Sequence, residues 1–116
     1  MNNLPKFEYA DGSANRYIIS SDSLVYDPVT PEESSTGMYS GGEPKAIALT
    51  AEQYKRIRVV LEKAINNTAD HMEDRIKTSG EISVIDSHGM RQYILKPGSA
   101  GISEIETLLK KLLNEG

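Results

Sequence analysis

Apolar residues along the chain recur with two periods, and the changes between them mark its elements. Between Arg16 and Tyr26 the runs Arg16-Tyr17-Ile18-Ile19-Ser20 and Leu24-Val25-Tyr26 are β-branched and aromatic, as strands favour, and they flank Ser21-Asp22-Ser23. The apolar phase slips across the serines, which fits either a tight hairpin or one long strand with a bulge. Lys45-Ala46-Ile47-Ala48-Leu49 is a further short strand. The period then changes to 3.6: Tyr54, Ile57, Val60, Leu61, Ala64 and Ile65 form one stripe of a helix, opened by a Thr50/Gln53 capping box. A weaker continuation through Thr68, Ala69, Met72 and Ile76 carries the predicted helix to about Lys77, with Asn66-Asn67 as the place for a break.

After Thr78-Ser79-Gly80 the alternation returns. Glu81-Ile82-Ser83-Val84-Ile85 and Met90-Arg91-Gln92-Tyr93-Ile94-Leu95 flank the turn formers Asp86-Ser87-His88-Gly89, which predicts a β-hairpin. The last helix carries Ile102, Ile105, Leu108, Leu109, Leu112 and Leu113 on one side. Ser103 with Glu106 offers it a capping box, so its start falls between Gly101 and Glu104. Residues 1–15 show no sustained period and read as a partly mobile lead-in. Residues 27–44 hold three of the five prolines and three of the nine glycines and read as a long irregular loop before the third strand. Two amphipathic helices need a shared apolar surface, so the expected fold is α+β: a two-layer sandwich with an antiparallel sheet of about four to five strands and both helices packed on one face.

Composition narrows the function classes. A chain of 116 residues, 38% hydrophobic and 26% charged, supports a single core over residues 1–116. Cysteine is absent, which removes disulfides, thiolate metal sites and cysteine nucleophiles. No targeting peptide and no apolar run of ~18 residues is visible, so a cytoplasmic protein without a membrane span is expected. The net charge of −4 is unevenly placed. Residues 1–44 hold two basic and seven acidic side chains, whereas residues 45–116 hold eleven and ten. An acidic lead segment disfavours phosphate backbones, so nucleic acid is not the expected partner despite Lys55, Arg56, Arg58 and Lys63 on one helix and tyrosines on the strands.

Candidate chemistry is sparse. His71 and His88 lack the spacing that puts two imidazoles on one helix face, and no metal or cofactor is expected. Asp86, Ser87 and His88 are adjacent on a turn, where a catalytic triad rarely converges, so no catalytic residues are named. The strand-to-helix segment Lys96-Pro97-Gly98-Ser99-Ala100-Gly101 is a candidate anion cradle, with Lys96, Gly98, Ser99, Gly101 and a nearby Arg91 as its residues, although an ordinary reversing turn is the favoured explanation of its Pro and Gly. The long loop is a candidate interaction surface, through Met38, Tyr39, Gly41, Gly42 and Glu43. Ile102, Ile105, Leu109 and Leu112 have a spacing suited to a homodimer contact, if they do not lie on the chain's own sheet. The leading expectation is a non-enzymatic protein–protein interaction module, and the alternative is a small-ligand or anion-binding domain, possibly an enzyme, using residues 98–101.

Overall fold

A computed structural model describes residues 4–30, 42–73 and 79–115. In chain order the elements are β1 (Lys6–Ala10), β2 (Arg16–Ile19), β3 (Ser23–Asp27), β4 (Lys45–Ala48), α1 (Ala51–Asn66), a 3₁₀ turn (Thr68–Asp70), β5 (His71–Met72), β6 (Gly80–Asp86), β7 (Gly89–Leu95) and α2 (Ala100–Glu115). The strands form one antiparallel sheet in the order β4-β3-β2-β1-β6-β7-β5. The α+β class is as expected, and the sheet has seven strands rather than four or five.

Both extra strands come from segments whose local pattern points elsewhere. The expected lead-in contains β1, which lies at the centre of the sheet with β2 on one side and β6 on the other. Its five residues alternate strictly: Phe7 and Tyr9 are buried while Lys6 is exposed. The run is as long as the one read as a strand at Lys45–Leu49, but it stands between Pro5 and the turn formers Asp11-Gly12-Ser13, and pairing on both edges makes it a strand. The second extra strand, β5, is two residues added to the edge of β7.

β5 also falls within the expected extension of the helix: over the described residues 68–73 the weak apolar continuation is not α-helical, while Ile76 and Lys77 lie outside the described residues. Asn67 leaves the helical region at φ −86°, ψ 74°, and its N–H donates to the carbonyls of Lys63 and Ala64. The chain then tightens into the 3₁₀ turn and is sewn to the sheet where Lys96 N–H donates to Asp70 O at 2.7 Å. At the other end of α1 the Thr50/Gln53 capping box is formed in both directions. The box expected at Ser103 and Glu106 is not: α2 starts earlier, at Ala100, Ser103 N–H joins the helical ladder to Ser99 O, and the Glu106 carboxylate turns to the sheet.

The remaining ambiguities resolve simply. β2 and β3 are a hairpin, closed by Ser20 N–H donating to Ser23 O, so the phase slip is a turn and not a bulge. The turn before it is held by Asp11, whose carboxylate accepts from the N–H groups of Ser13 and Asn15. Asn15, itself buried, accepts from Val29 N–H and so pins the chain leaving β3. Asp27 belongs to β3, so regular structure persists one residue into the expected loop. Met38, Tyr39 and Gly41 lie outside the described residues.

The pairing register places Phe7, Tyr9, Tyr17, Ile19, Leu24, Ile82, Val84 and Leu95 on one face of the sheet. They join Tyr54, Ile57, Leu61 and Ala64 of α1 and Ile105, Leu109, Leu112 and Leu113 of α2 in a single core. Three residues offered as a homodimer contact, Ile105, Leu109 and Leu112, are at most 1% exposed and therefore hold this chain's own core together. The fourth, Ile102, is half-buried against the same core. The amphipathic stripe that suggests a partner is satisfied internally.

Two phenols sit in this core. Burial, reinforced by the hydrogen bond from the Tyr9 hydroxyl to the Glu106 carboxylate at 2.7 Å, pushes the Tyr9 phenol far above its ordinary range. Burial also raises Tyr54, whose hydroxyl donates to Pro5 O. Both shifts favour the neutral phenol in the folded chain, so their contribution is complete below the pH where an unfolded tyrosine ionises, about 10, and declines above it. The urea midpoint is therefore expected to fall above that pH, and to fall less steeply in Tyr9→Phe; identical slopes would show that Tyr9 ionises freely in the folded state.

Candidate functional site

The sequence-derived anion cradle does not assemble as one site. Lys96 follows the last residue of β7, and its Nζ donates to Ala69 O at 3.0 Å, tying the strand end to the 3₁₀ turn. Gly98 takes φ +76° in a turn closed by Ser99 N–H on Lys96 O, which is why glycine follows Pro97 there. The Ser99 hydroxyl is buried without a hydrogen-bond partner among the described residues. Gly101 lies in the first turn of α2, where an added Cβ would stand 3.0 Å from Ala64 Cβ. Its smallness serves the approach of the two helices. Arg91 is five residues before Lys96 along β7, about 16 Å away in an extended strand. Of the proposed interaction loop, Gly42 adopts φ +101° and Glu43 is exposed.

Arg91 instead joins a different constellation. Between the second half of α1 and the turn end of the β6–β7 hairpin lies an open cleft of about 370 Å³. Its floor is apolar, built from Phe7 of β1, Val84 of β6, Tyr93 of β7 and Ile65 of α1. Its rim is charged: Arg58 and Glu62 from α1, and Asp86, His88 and Arg91 from the hairpin. The register explains the gathering, because Val84 stands opposite both Phe7 and Arg91, and Ile82 opposite Tyr93. Directly opposed residues share a face, so Arg91 and Tyr93 point to the helix side of the sheet with the core.

Each guanidinium is oriented by a carboxylate close to it in sequence. Asp86 uses both oxygens: Oδ1 accepts from His88 N–H at 2.8 Å and Oδ2 from Arg91 Nη2 at 2.5 Å. The first bond builds the two-residue turn, and the second aims Arg91. On α1, Arg58 Nε donates to Glu62 Oε2 at 3.2 Å, one helical turn away. Such exposed pairs contribute little to stability, within about 1 kcal/mol. Their value is positional: an arginine carries five N–H donors, and each of these two gives one to its carboxylate. The remaining donors suit a planar or tetrahedral anion. The Tyr93 ring is tilted against His71 with centroids 5.6 Å apart, and His71 Nε2 in turn donates to Ala64 O.

Other readings of the same residues find less support in their placement. Asp86 is engaged by the His88 backbone and by Arg91, so Asp86, Ser87 and His88 form a hairpin tip. Tyr17, Tyr26 and Tyr93 all face the helices, so none offers a ring on the outer face of the sheet for base stacking. Among the described residues no three His, Asp or Glu side chains gather into a metal-binding group, and no helix is long and apolar enough to cross a membrane.

Sequence reasoning misses Arg58, Glu62, His88 and Tyr93 as members of one site. The i,i+4 spacing of Arg58 and Glu62 is visible, as is the turn at Asp86, but more than twenty residues separate them. They come together in the folded chain, where both line the cleft. No family model, curated protein or solved structure matches this chain, so geometry and chemistry carry the functional reading.

Proposed function

We propose that this chain is a non-enzymatic binding module, a two-layer α+β domain whose ligand occupies the cleft between α1 and the β6–β7 hairpin. The ligand has an anionic group for Arg58 and Arg91 and a flat apolar body for the floor. The observation that carries this reading is the pair of guanidiniums, each fixed by one carboxylate and each retaining donors, over Phe7, Val84, Ile65 and Tyr93. Most of the residues lining the cleft are polar or charged, so its guanidiniums rather than its floor are expected to supply most of the hold on a ligand. Naphthalene-2-sulfonate, a ring with a permanent negative charge, is a suitable probe. Millimolar probe is expected to raise the Tm, and Arg91→Ala to remove most of the shift while keeping the circular dichroism of the parent. An equal shift in Arg91→Ala would place the ligand elsewhere.

A second reading keeps the protein–protein contact of the sequence expectation and moves it to the other face of the sheet. There Ile85 and Met90 stand directly opposite each other and are 39% and 60% exposed. If copies of the chain meet on this face, light scattering at high concentration gives a dimer mass that Met90→Glu returns to a monomer. A monomer for the unaltered chain contradicts it.

A further inference from the structure

The charges around the cleft cancel in pairs and leave one group to set its sign. Arg58 is matched by Glu62 and Arg91 by Asp86, which sums to zero. His88 is the remaining titratable group on the rim. It stands on the two-residue turn between β6 and β7 with its backbone fixed by Asp86 Oδ1, and no described residue makes a hydrogen bond to its imidazole. The charged and titratable groups that line the cleft with it are Arg58 and Glu62 from α1, Asp86 from β6, and Arg91 and Tyr93 from β7; Pro5 and Phe7 bring no charge.

We infer that the cleft is a proton-linked anion site, in which protonation of His88 converts a neutral rim into a cationic one and tightens the hold on an anionic ligand. This rests on the reading that the ligand occupies the cleft. Histidine is the side chain that gains charge in the mildly acidic range, and linkage makes the effect mutual: the bound anion favours the protonated imidazole as much as the proton favours the anion. The rim is open to solvent, so salt screens the interaction. In such a linkage, one pH unit of displacement in the titrating group corresponds to a change of about tenfold in affinity.

The test is calorimetric titration of the intact chain with naphthalene-2-sulfonate, whose own charge is constant, at about pH 5.5 and about pH 8 and fixed ionic strength. The expected result is a Kd about tenfold lower at the acid pH, with proton uptake seen as a heat that depends on the buffer. His88→Gln should flatten the pH profile, while His71→Gln, behind Tyr93, should preserve it. Should either variant fold poorly, the ring resonances of the two histidines in the unaltered chain decide: ligand must move the titration of His88 to higher pH. Equal affinity at both pH values, or a profile that survives His88→Gln, overturns the proton linkage and leaves the cleft site standing. No binding at either pH overturns both.

Discussion

A chain shortened to begin at Asp11 is expected to lose its cooperative unfolding transition. β1 is the strand on which the sheet is assembled: β4, β3 and β2 lie on one side of it and β6, β7 and β5 on the other. Removing it leaves two three-stranded pieces with new unpaired edges, and it takes Phe7 and Tyr9 out of the core. The single substitution Phe7→Ala already costs about 3–5 kcal/mol by precedent for buried aromatics, against a typical domain stability of about 5–15 kcal/mol. Thermal denaturation followed by circular dichroism, with dispersion in the amide NMR spectrum, measures the effect. A sharp transition near that of the full chain would mean that residues 4–10 are dispensable and that β2 pairs with β6 directly.

Gly101→Val is expected to destabilise the domain by about 3 kcal/mol, the upper part of the range for overpacking a filled contact. A single added carbon would lie 3.0 Å from Ala64 Cβ, and a branched side chain adds two more where α1 and α2 meet. Gly98→Ala makes the instructive comparison. Its φ of +76° strains an alanine by about 1–2 kcal/mol, but nothing lies within 4 Å of the added carbon. Urea denaturation of the two variants thus separates a packing glycine from a conformational one. Equal stability of Gly101→Val and the parent would contradict the close helix contact, and would reopen residues 98–101 as a place where glycine serves a ligand.

These two expectations fall where local sequence is least informative. The hairpins, α1 with its cap and the stripe of α2 are legible because each is specified by neighbours a few residues apart: Thr50 with Gln53, the apolar positions from Ile102 to Leu113, and the turn formers between Asp86 and Gly89. β1 is not legible, because Lys-Phe-Glu-Tyr-Ala sits among turn formers and its central place depends on Ile82 and Val84, more than seventy residues away, as well as on Tyr17 and Ile19 of the next strand. β5 is hidden because Ala69, Met72 and Ile76 happen to continue a helical stripe, while the bond from Lys96 to Asp70 that ends the matter comes from the far side of β7. The site follows the same rule. Arg91 stands out for its charge near a strand-to-helix turn, yet its working neighbours are set by which residues oppose Val84. The acidic excess of residues 1–44 is countable from the sequence, but part of it is structural: Asp11 builds a turn, and Glu8 and Asp27 both pair with Arg16.

The central claim, that ligand is held between α1 and the hairpin end, is tested most directly by mapping amide shifts during a titration with naphthalene-2-sulfonate. The expected perturbations are confined to Phe7, Arg58, Glu62, Ile65, Val84 and the stretch from Asp86 to Tyr93, and are lost in Arg91→Ala. Shifts centred on residues 96–101, or on Ile85 and Met90 without α1, would contradict it.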